Sequence, residues 1–493
     1  MDFQTTNITG IIYTDNDDSL PQSKKEVCLY DGYNVEFYRG LGTGTSKGTT
    51  LLGDVGAYII RGGAEYNYSA SAKVCVVNAS DGKAYHFNVG TGTFTEITTG
   101  LTTTAKTTYA EMGGSLIVND GTNDPKKLTY NGSTWSVASL GTTSQRGLAM
   151  TVWKNRLFMG SSTSATLYWS TLGDNTDWVT TGANGAGSNS NFFNDSTPIT
   201  ALIEWNDLLL IYKKDKIYYI QGGTDQNEWI LGQFSASVGS PSPNGTANYL
   251  TEHWMFDNDL LAIGSFGKEG EIKLNSEYSD DINEDFENLV LPENVKLIPY
   301  HKRDQLRCYV TYSGDDYIKY CWIYCFTKKR WFLKKYPHNI TTVFLYDGDI
   351  YIGTTAGEVL KDDDGNTFNG TAIENLMLLP FLHFGYLNWE KEVSEILLGL
   401  DRLNTTNFTF RVRYNNESDG AYTEKEFSIT GADDLIWGEG NWGEKNWAAS
   451  GVAKAIFRPN KRFETIQIGL YSNGVADKFM VRSLLIKDIV AAI

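Results

Sequence analysis

Trp205–Ile220 reads WNDLLLIYKKDKIYYI, and the two halves of this stretch decide the fold. An Asn-Asp pair follows the tryptophan, an apolar run follows the pair, and a Lys/Asp turn then leads into a second apolar run. Short apolar runs bounded by turn residues are the pattern of strands, and Asn or Asp ahead of such a run is a turn signal. The pattern recurs as WKNRLFMG at Trp153–Gly160, MFDNDLLAIG at Met255–Gly264 and YDGDIYIG at Tyr346–Gly353, with a weaker copy, MGGSLIVN, at Met112–Asn119. Measured between turn positions 114, 155, 206 and 258, the gaps are 41, 51 and 52 residues. The next gap, from 258 to 347, is 89 residues, about twice that period, and Asp304–Thr311 (DQLRCYVT) falls near its midpoint. A period of about 40–50 residues with several short strands per copy predicts a β-propeller.

A second element accompanies the first. An aromatic strand turns and returns on another aromatic residue in Ala84–Phe94 (AYHFNVGTGTF), Leu128–Trp135 (LTYNGSTW), Tyr218–Trp229 and Ile323–Trp331 (IYCFTKKRW). These segments read as outer hairpins whose rings pack between blades. Counting both elements predicts six or seven blades over residues 61–365, after an N-terminal entry segment, 1–60. Thr180–Asn191 (TTGANGAGSNSN) is Gly-rich and shows no strand pattern, so a flexible connector is expected there. Beyond Lys361 the period is lost. Strand patterns at Asn407–Tyr414, Lys425–Ile429, Phe463–Leu470 and Phe479–Ile486 predict a C-terminal β-sandwich-like domain over 366–493. The chain as a whole is expected to be all-β.

Composition narrows the function classes. With 42 basic and 59 acidic residues the chain carries a formal charge of −17, which is ill suited to gripping phosphate backbones. Met1-Asp2-Phe3-Gln4 has no basic start and no apolar core behind it, so no signal peptide is expected. The most apolar stretch, Leu376–Leu387, is interrupted by Pro380 and is too short to span a bilayer. Cys28, Cys75, Cys308, Cys321 and Cys325 include no C-x-x-C pair, and the histidines are scattered. Free, mostly buried thiols and no metal site are the expectation.

Candidate chemistry is sparse. Asp362–Asn366 (DDDGN) lacks the alternating ligands and terminal Glu of a calcium loop and reads as a solvated turn. Ser170–Trp178 (STLGDNTDW) faintly resembles the turn of sialidase propellers, but Leu172 stands where an Asp belongs. Gly44–Gly48 (GTSKG) and Gly438–Gly443 (GEGNWG) match nucleophile-elbow and dinucleotide patterns by letter only, without the strand-to-helix context either needs. Lys328-Lys329-Arg330 with Lys334-Lys335 is the densest basic patch and reads as a hairpin turn, or as an interface with an acidic neighbour. In Trp437–Trp447 (WGEGNWGEKNW) the spacing of five fits neither a strand face nor a helical stripe. Trp437, Trp442 and Trp447 are therefore candidates for an exposed contact loop, or for rings folded back on the domain. No catalytic residues and no cofactor are expected.

Read as one block, Gly147–Ile220 runs GLAMTVWKNRLFMG, then LYWSTLGDNTDW, then PITALIEWNDLLLIYKKDKIYYI. It resembles the tail nozzle (tail hub or tail stabilisation) proteins of short-tailed bacteriophages. The features that carry the resemblance are the turn at Asn155 with its apolar strand and Gly160, then Tyr168-Trp169-Ser170 leading to Trp178, and then Ile199 and Leu202 ahead of a Lys-rich turn. The C-terminal Arg462–Ile489 is similar to the ends of those chains. The resemblance implies a virion protein assembled in the host cytoplasm. It implies a homohexameric ring below portal and adaptor proteins, neighbouring a tail fibre or tailspike, through which double-stranded DNA passes without specific binding. An acidic lumen suits that passage, since carboxylates repel phosphates. The alternative from the residues is a receptor- or glycan-binding propeller using Trp437, Trp442 and Trp447. A glycan-cleaving enzyme is the third and weakest reading.

Overall fold

A computed structural model describes residues 3–5, 7–11, 26–29, 31–38, 42–140, 146–161, 164–190, 192, 195–263, 274–275, 278–384, 389–401, 406–415, 422–429, 452–475 and 479–491. The chain divides into two compact units. One comprises Leu51–Cys321 and His338–Asp362, the other Met1–Thr50, Trp322–Pro337 and Asp363–Ile493.

The first unit is a propeller. Five four-stranded antiparallel sheets follow one another along the chain, each built from four consecutive strands. Their innermost strands are Ile60–Ser69, Thr108–Met112, Met150–Trp153, Ala201–Trp205 and Thr246–Tyr249. A sixth blade begins with Lys296–Tyr300 and Gln305–Tyr312. The seventh runs from residue 338 through Tyr346 into Asp349–Thr354 and Glu358–Asp362, and its outermost strand is Thr49–Asp54, which precedes blade one in the sequence. Five sheets plus these two make seven blades among the described residues. Lending the last blade a strand from ahead of the first locks the ring. At that closure Thr341 Oγ1 donates to the Ile60 carbonyl at 2.5 Å, and Lys73 Nζ lies 2.7 Å from the Asp347 carboxylate.

The recurring turn has a definite geometry. Trp153 pairs with Arg156, Trp205 with Leu208, Met112 with Ser115 and Tyr346 with Asp349, so each turn has two residues. Those two residues lie at positive φ in every case: Lys154 and Asn155, Asn206 and Asp207, Gly113 and Gly114, Asp347 and Gly348. This is the backbone of a hairpin turn whose twist matches that of its strands, and Asn, Asp and Gly tolerate it best. The strand after the turn is buried along its whole length in Ser115–Asn119, Arg156–Gly160 and Leu208–Tyr212. A strand between two blades has both faces covered, so it reads as a continuous apolar run and not as an alternating one.

Packing between blades three and four absorbs the block that carries the family resemblance. Trp153, Phe158, Trp169, Ile199, Leu202, Leu209 and Tyr218 belong to one buried cluster. Trp153 Nε1 also donates to the Asp207 carbonyl, 3.1 Å away, across to the turn of blade four. Gly147 admits no side chain, because a Cβ there would stand 1.4 Å from the Gly160 carbonyl oxygen.

One expectation needs correction. Within Thr180–Asn191, the segment Gly187–Asn189 is the outermost strand of blade three, paired with Leu167–Trp169. The loop ahead of it is held by a side chain from the blade interior. Arg156 is fully buried and donates to the carbonyls of Ser170 (3.0 Å), Gly185 (2.5 Å), Ala183 (3.2 Å) and Thr224 (3.1 Å). Four carbonyl dipoles stand in for the counterion, and a segment without a strand pattern becomes part of the sheet.

The second unit is a β-sandwich. One sheet holds six strands, among them Glu395–Asp401, Met480–Lys487, Val35–Tyr38 and the N-terminal Phe3–Thr5. The other has five and is ordered Thr423–Ile429, Thr406–Tyr414, Ile466–Ser472, Asn375–Leu378 and Asp31–Tyr33. Aromatic pairs join the sheets, with Phe410 and Phe457 ring centroids 5.2 Å apart. The Lys-rich hairpin belongs to this unit. Lys328 lies over Phe37 at 4.6 Å, Lys335 over Tyr33 at 5.7 Å, and Lys334 is fully buried over Tyr336 at 5.1 Å. Aromatic faces and aliphatic stems thus absorb much of what the sequence shows as a basic patch.

Candidate functional site at the inner strands

Four consecutive inner strands, those of blades two to five, line an open cleft of about 620 Å³. Its polar lining comes from Tyr109, Glu111, Thr151, Glu204, Asn206 and Asn248, and its apolar lining includes Trp205 and the exposed Leu250. The site is placed by the fold, since inner strands converge on the propeller axis and expose backbone edges and alternate side chains there. A cavity of this size and polarity suits a small polar ligand.

The wall of the cavity is braced from behind. Glu111 accepts hydrogen bonds from the backbone and side-chain amides of Asn67 at 3.1 and 3.3 Å. Asn248 donates through its side-chain amide to the Glu204 carbonyl at 2.8 Å, and its Oδ1 lies 2.7 Å from His253 Nδ1. Because Oδ1 can only accept, Nδ1 carries the proton and Nε2 accepts from the Tyr212 hydroxyl at 2.6 Å. Burial holds His253 neutral, with its pKa pulled down to about 3, so it orients Asn248 rather than exchanging protons near neutral pH. Tyr109, also on the wall, donates to Asn78 Oδ1 at 2.6 Å. The lining thus offers carboxylates, amides and hydroxyls for binding. Among the described residues that line it there is no thiol, imidazole or amine.

The candidates named from the sequence fall elsewhere. Trp437, Trp442 and Trp447 lie outside the described residues. Cys75, Cys308, Cys321 and Cys325 are buried, and burial raises the Cys75 and Cys308 thiols far above the usual thiol range. Among the described residues no group of three or more His, Cys, Asp or Glu could hold a metal ion. No helix of the described chain is long and apolar enough to cross a membrane. In Ser170–Trp178, Asp174 accepts from Thr176 and Asp177 from Val179 and Thr180, so the acidic residues build successive turns. Asp362, expected in a solvated turn, is instead fully buried. Its Oδ2 accepts from Arg307 at 2.8 Å and from the Tyr309 hydroxyl at 3.0 Å. The available sign of this pair was Arg307 itself, a charge in the middle of an apolar strand.

No family model matches the chain, and no curated protein matches it in sequence. Solved structures similar to it include a catalytically inactive virginiamycin B lyase from Staphylococcus aureus with quinupristin, at 12% identity, covering 64% of this chain and 97% of that one, TM-score 0.42. YCF48 from Cyanidioschyzon merolae is 10% identical over 64% of this chain and 98% of that one, TM-score 0.41. BamB from Moraxella catarrhalis is 11% identical over 68% of this chain and 96% of that one, TM-score 0.38.

Proposed function

We propose that this chain is a structural virion protein, the ring-forming tail nozzle of a short-tailed bacteriophage. Six copies would close a ring below the portal and its adaptor, and the genome would pass through the ring lumen. The observation that carries the reading is the block Gly147–Ile220, whose resemblance to nozzle proteins rests on positions with defined roles. Asn155 sits at positive φ in its turn, and Trp169, Ile199 and Leu202 fill one core between two blades. The charge of −17 supports the same reading, because a surface dominated by carboxylates lets a duplex slide without adsorbing. A propeller joined to a β-sandwich provides rigid faces for neighbours, and the work proposed for the chain is assembly rather than catalysis.

Quantitative mass spectrometry of purified particles from the source tests this directly. About six copies per particle, as one closed cyclic ring requires, is the expected result. Absence from particles overturns the reading and turns attention to the receptor- or glycan-binding alternative. The polar cavity beside Trp205 favours that alternative in one respect, since amides, carboxylates and an indole edge are what a carbohydrate site needs. It predicts oligosaccharide binding that is lost on Trp442→Ala.

A further inference from the structure

The carboxylate-bearing cavity uses residues toward the ends of inner strands. The starts of inner strands gather the opposite charge. Arg61 is the second residue of Ile60–Ser69, Lys106 precedes Thr108–Met112 by two residues, and Lys296 opens Lys296–Tyr300. Lys296 is only 6% exposed, and its ammonium donates to Thr342 Oγ1 at 2.8 Å. Lys106 donates to Asn294 Oδ1. Arg61 reaches the Thr103 carbonyl through Nη2 at 3.4 Å, while its buried Nε has no hydrogen-bond partner. A small cavity of about 120 Å³ lies beside two of them, lined by Arg61, Lys106, Asn294, Tyr317, Ile340 and Thr341, with Asp316 and Ile318, while Lys296 stands outside its lining.

Charge balance is what sets this place apart. Among the described residues, none of the three cations forms an ion pair with a carboxylate. Asp316 is exposed to solvent, and Glu293 acts on Lys106 only as a nearby charge. Burial, reinforced by Lys106, pulls the Lys296 pKa down to about 7; burial and Arg61 pull Lys106 down to about 8. Buried charges are ordinarily paired, and here a chain of net charge −17 sets two cations, Arg61 and Lys106, against one void, with Lys296 near enough to Lys106 to feel its charge. The void is well below the few hundred Å³ of an organic-ligand pocket, yet roomy for an ion with a few waters.

We propose that this cavity binds one small tetrahedral oxyanion of the inorganic phosphate class, held by Arg61 and Lys106 together with the Asn294 amide, with Lys296 adding its charge from outside the lining. The guanidinium and ammonium groups supply charge-assisted donors from several blades, so the bound ion would brace the start of the ring. A bound dianion restores protons to the lysines, and binding near pH 8 is therefore coupled to proton uptake.

Isothermal titration calorimetry of the full chain with inorganic phosphate, at ionic strength matched with chloride, tests the site. Single-site binding is expected, weakened at least about tenfold by Lys106→Met and unaffected by Lys214→Met on the exposed turn of blade four. Titrations at pH 8 in buffers of different ionisation enthalpy should register proton uptake, which a purely structural role for these lysines would not produce. Glycerol phosphate should bind much more weakly than phosphate, because the void does not accommodate the added group. Circular dichroism checks that Lys106→Met folds; if it does not, Arg61→Gln, at a partly exposed position, decides in its place. No saturation by about 10 mM phosphate, or equal affinity in the folded variant and the parent, overturns the proposal.

Discussion

Blades three and six each bury an arginine completely, and they solve the same problem in opposite ways. Arg156 of blade three sits among four backbone carbonyls, three from the strand and loop that follow it and one, Thr224, from the loop after the third strand of blade four. Arg307 of blade six meets a carboxylate, Asp362, with Tyr309 and Gln305 completing the set and the Tyr300 ring 4.7 Å from the guanidinium carbon. Blade four shows what the position needs otherwise: Leu208 follows the two-residue turn just as Arg156 does, and it is simply core. A charge at such a place is thus an addition to the blade with a local task. In blade three the task is chiefly to fold an irregular loop onto the sheet, with one bond reaching blade four at Thr224. In blade six it is to tie two blades together, since Asp362 ends the chain's run through blade seven.

Breaking the blade-six solution should have the largest effect. Asp362→Ala leaves a buried guanidinium without its counterion and is expected to cost about 3–5 kcal/mol in chemical denaturation, whereas Arg307→Met with Asp362→Leu together should recover most of that loss. Full destabilisation persisting in the double variant would show that packing, and not the unpaired charge, set the cost. The blade-three solution should break more gently and more locally. Arg156→Met removes donors from four carbonyls, some of which can turn to water, so about 2–3 kcal/mol is expected. Hydrogen exchange should quicken over residues 180–189 well before blade four is affected, and uniform loss of protection would sink the pinning role. The smallest effect belongs to the turn that every comparison of blades relies on. Asn206 lies at φ 47°, so Asn206→Ala should cost about 1 kcal/mol while Asn206→Gly costs little. Equal costs for the two would mean that the Asn side chain, and not the backbone conformation, matters there.

Much of the propeller was legible because its rules are local. The Asn, Asp and Gly pairs mark positions where φ must be positive, and the apolar runs after them mark strands covered on both sides. The aromatic hairpins are likewise the third and fourth strands of blades, as at Ala84–Asn88 paired with Thr93–Thr98. Thr180–Asn191 escaped because its strand depends on a donor some thirty residues earlier in the chain, at Arg156. The sandwich was legible only as strands. Its pairings join Asp31–Tyr33 to Leu376–Leu378 and Phe3–Thr5 to Leu484–Ile486, and no local pattern announces a partner more than 300 residues away. The cavity at the inner strands was not legible at all. Glu111, Glu204 and Asn248 recur at no motif spacing and are gathered only by the ring.

By itself, then, the sequence determined the periodic part of this protein: strands, turns, the approximate number of blades, and an acidic surface. These follow from backbone sterics and apolar burial, which act between residues close along the chain. Tertiary structure alone decided where charges became buried, which side chains met at the axis, and which distant segments built the sandwich. A guanidinium or an ammonium is equally at home in water, and only the surroundings that the closed ring imposes determine whether it must find carbonyls, a carboxylate or an anion.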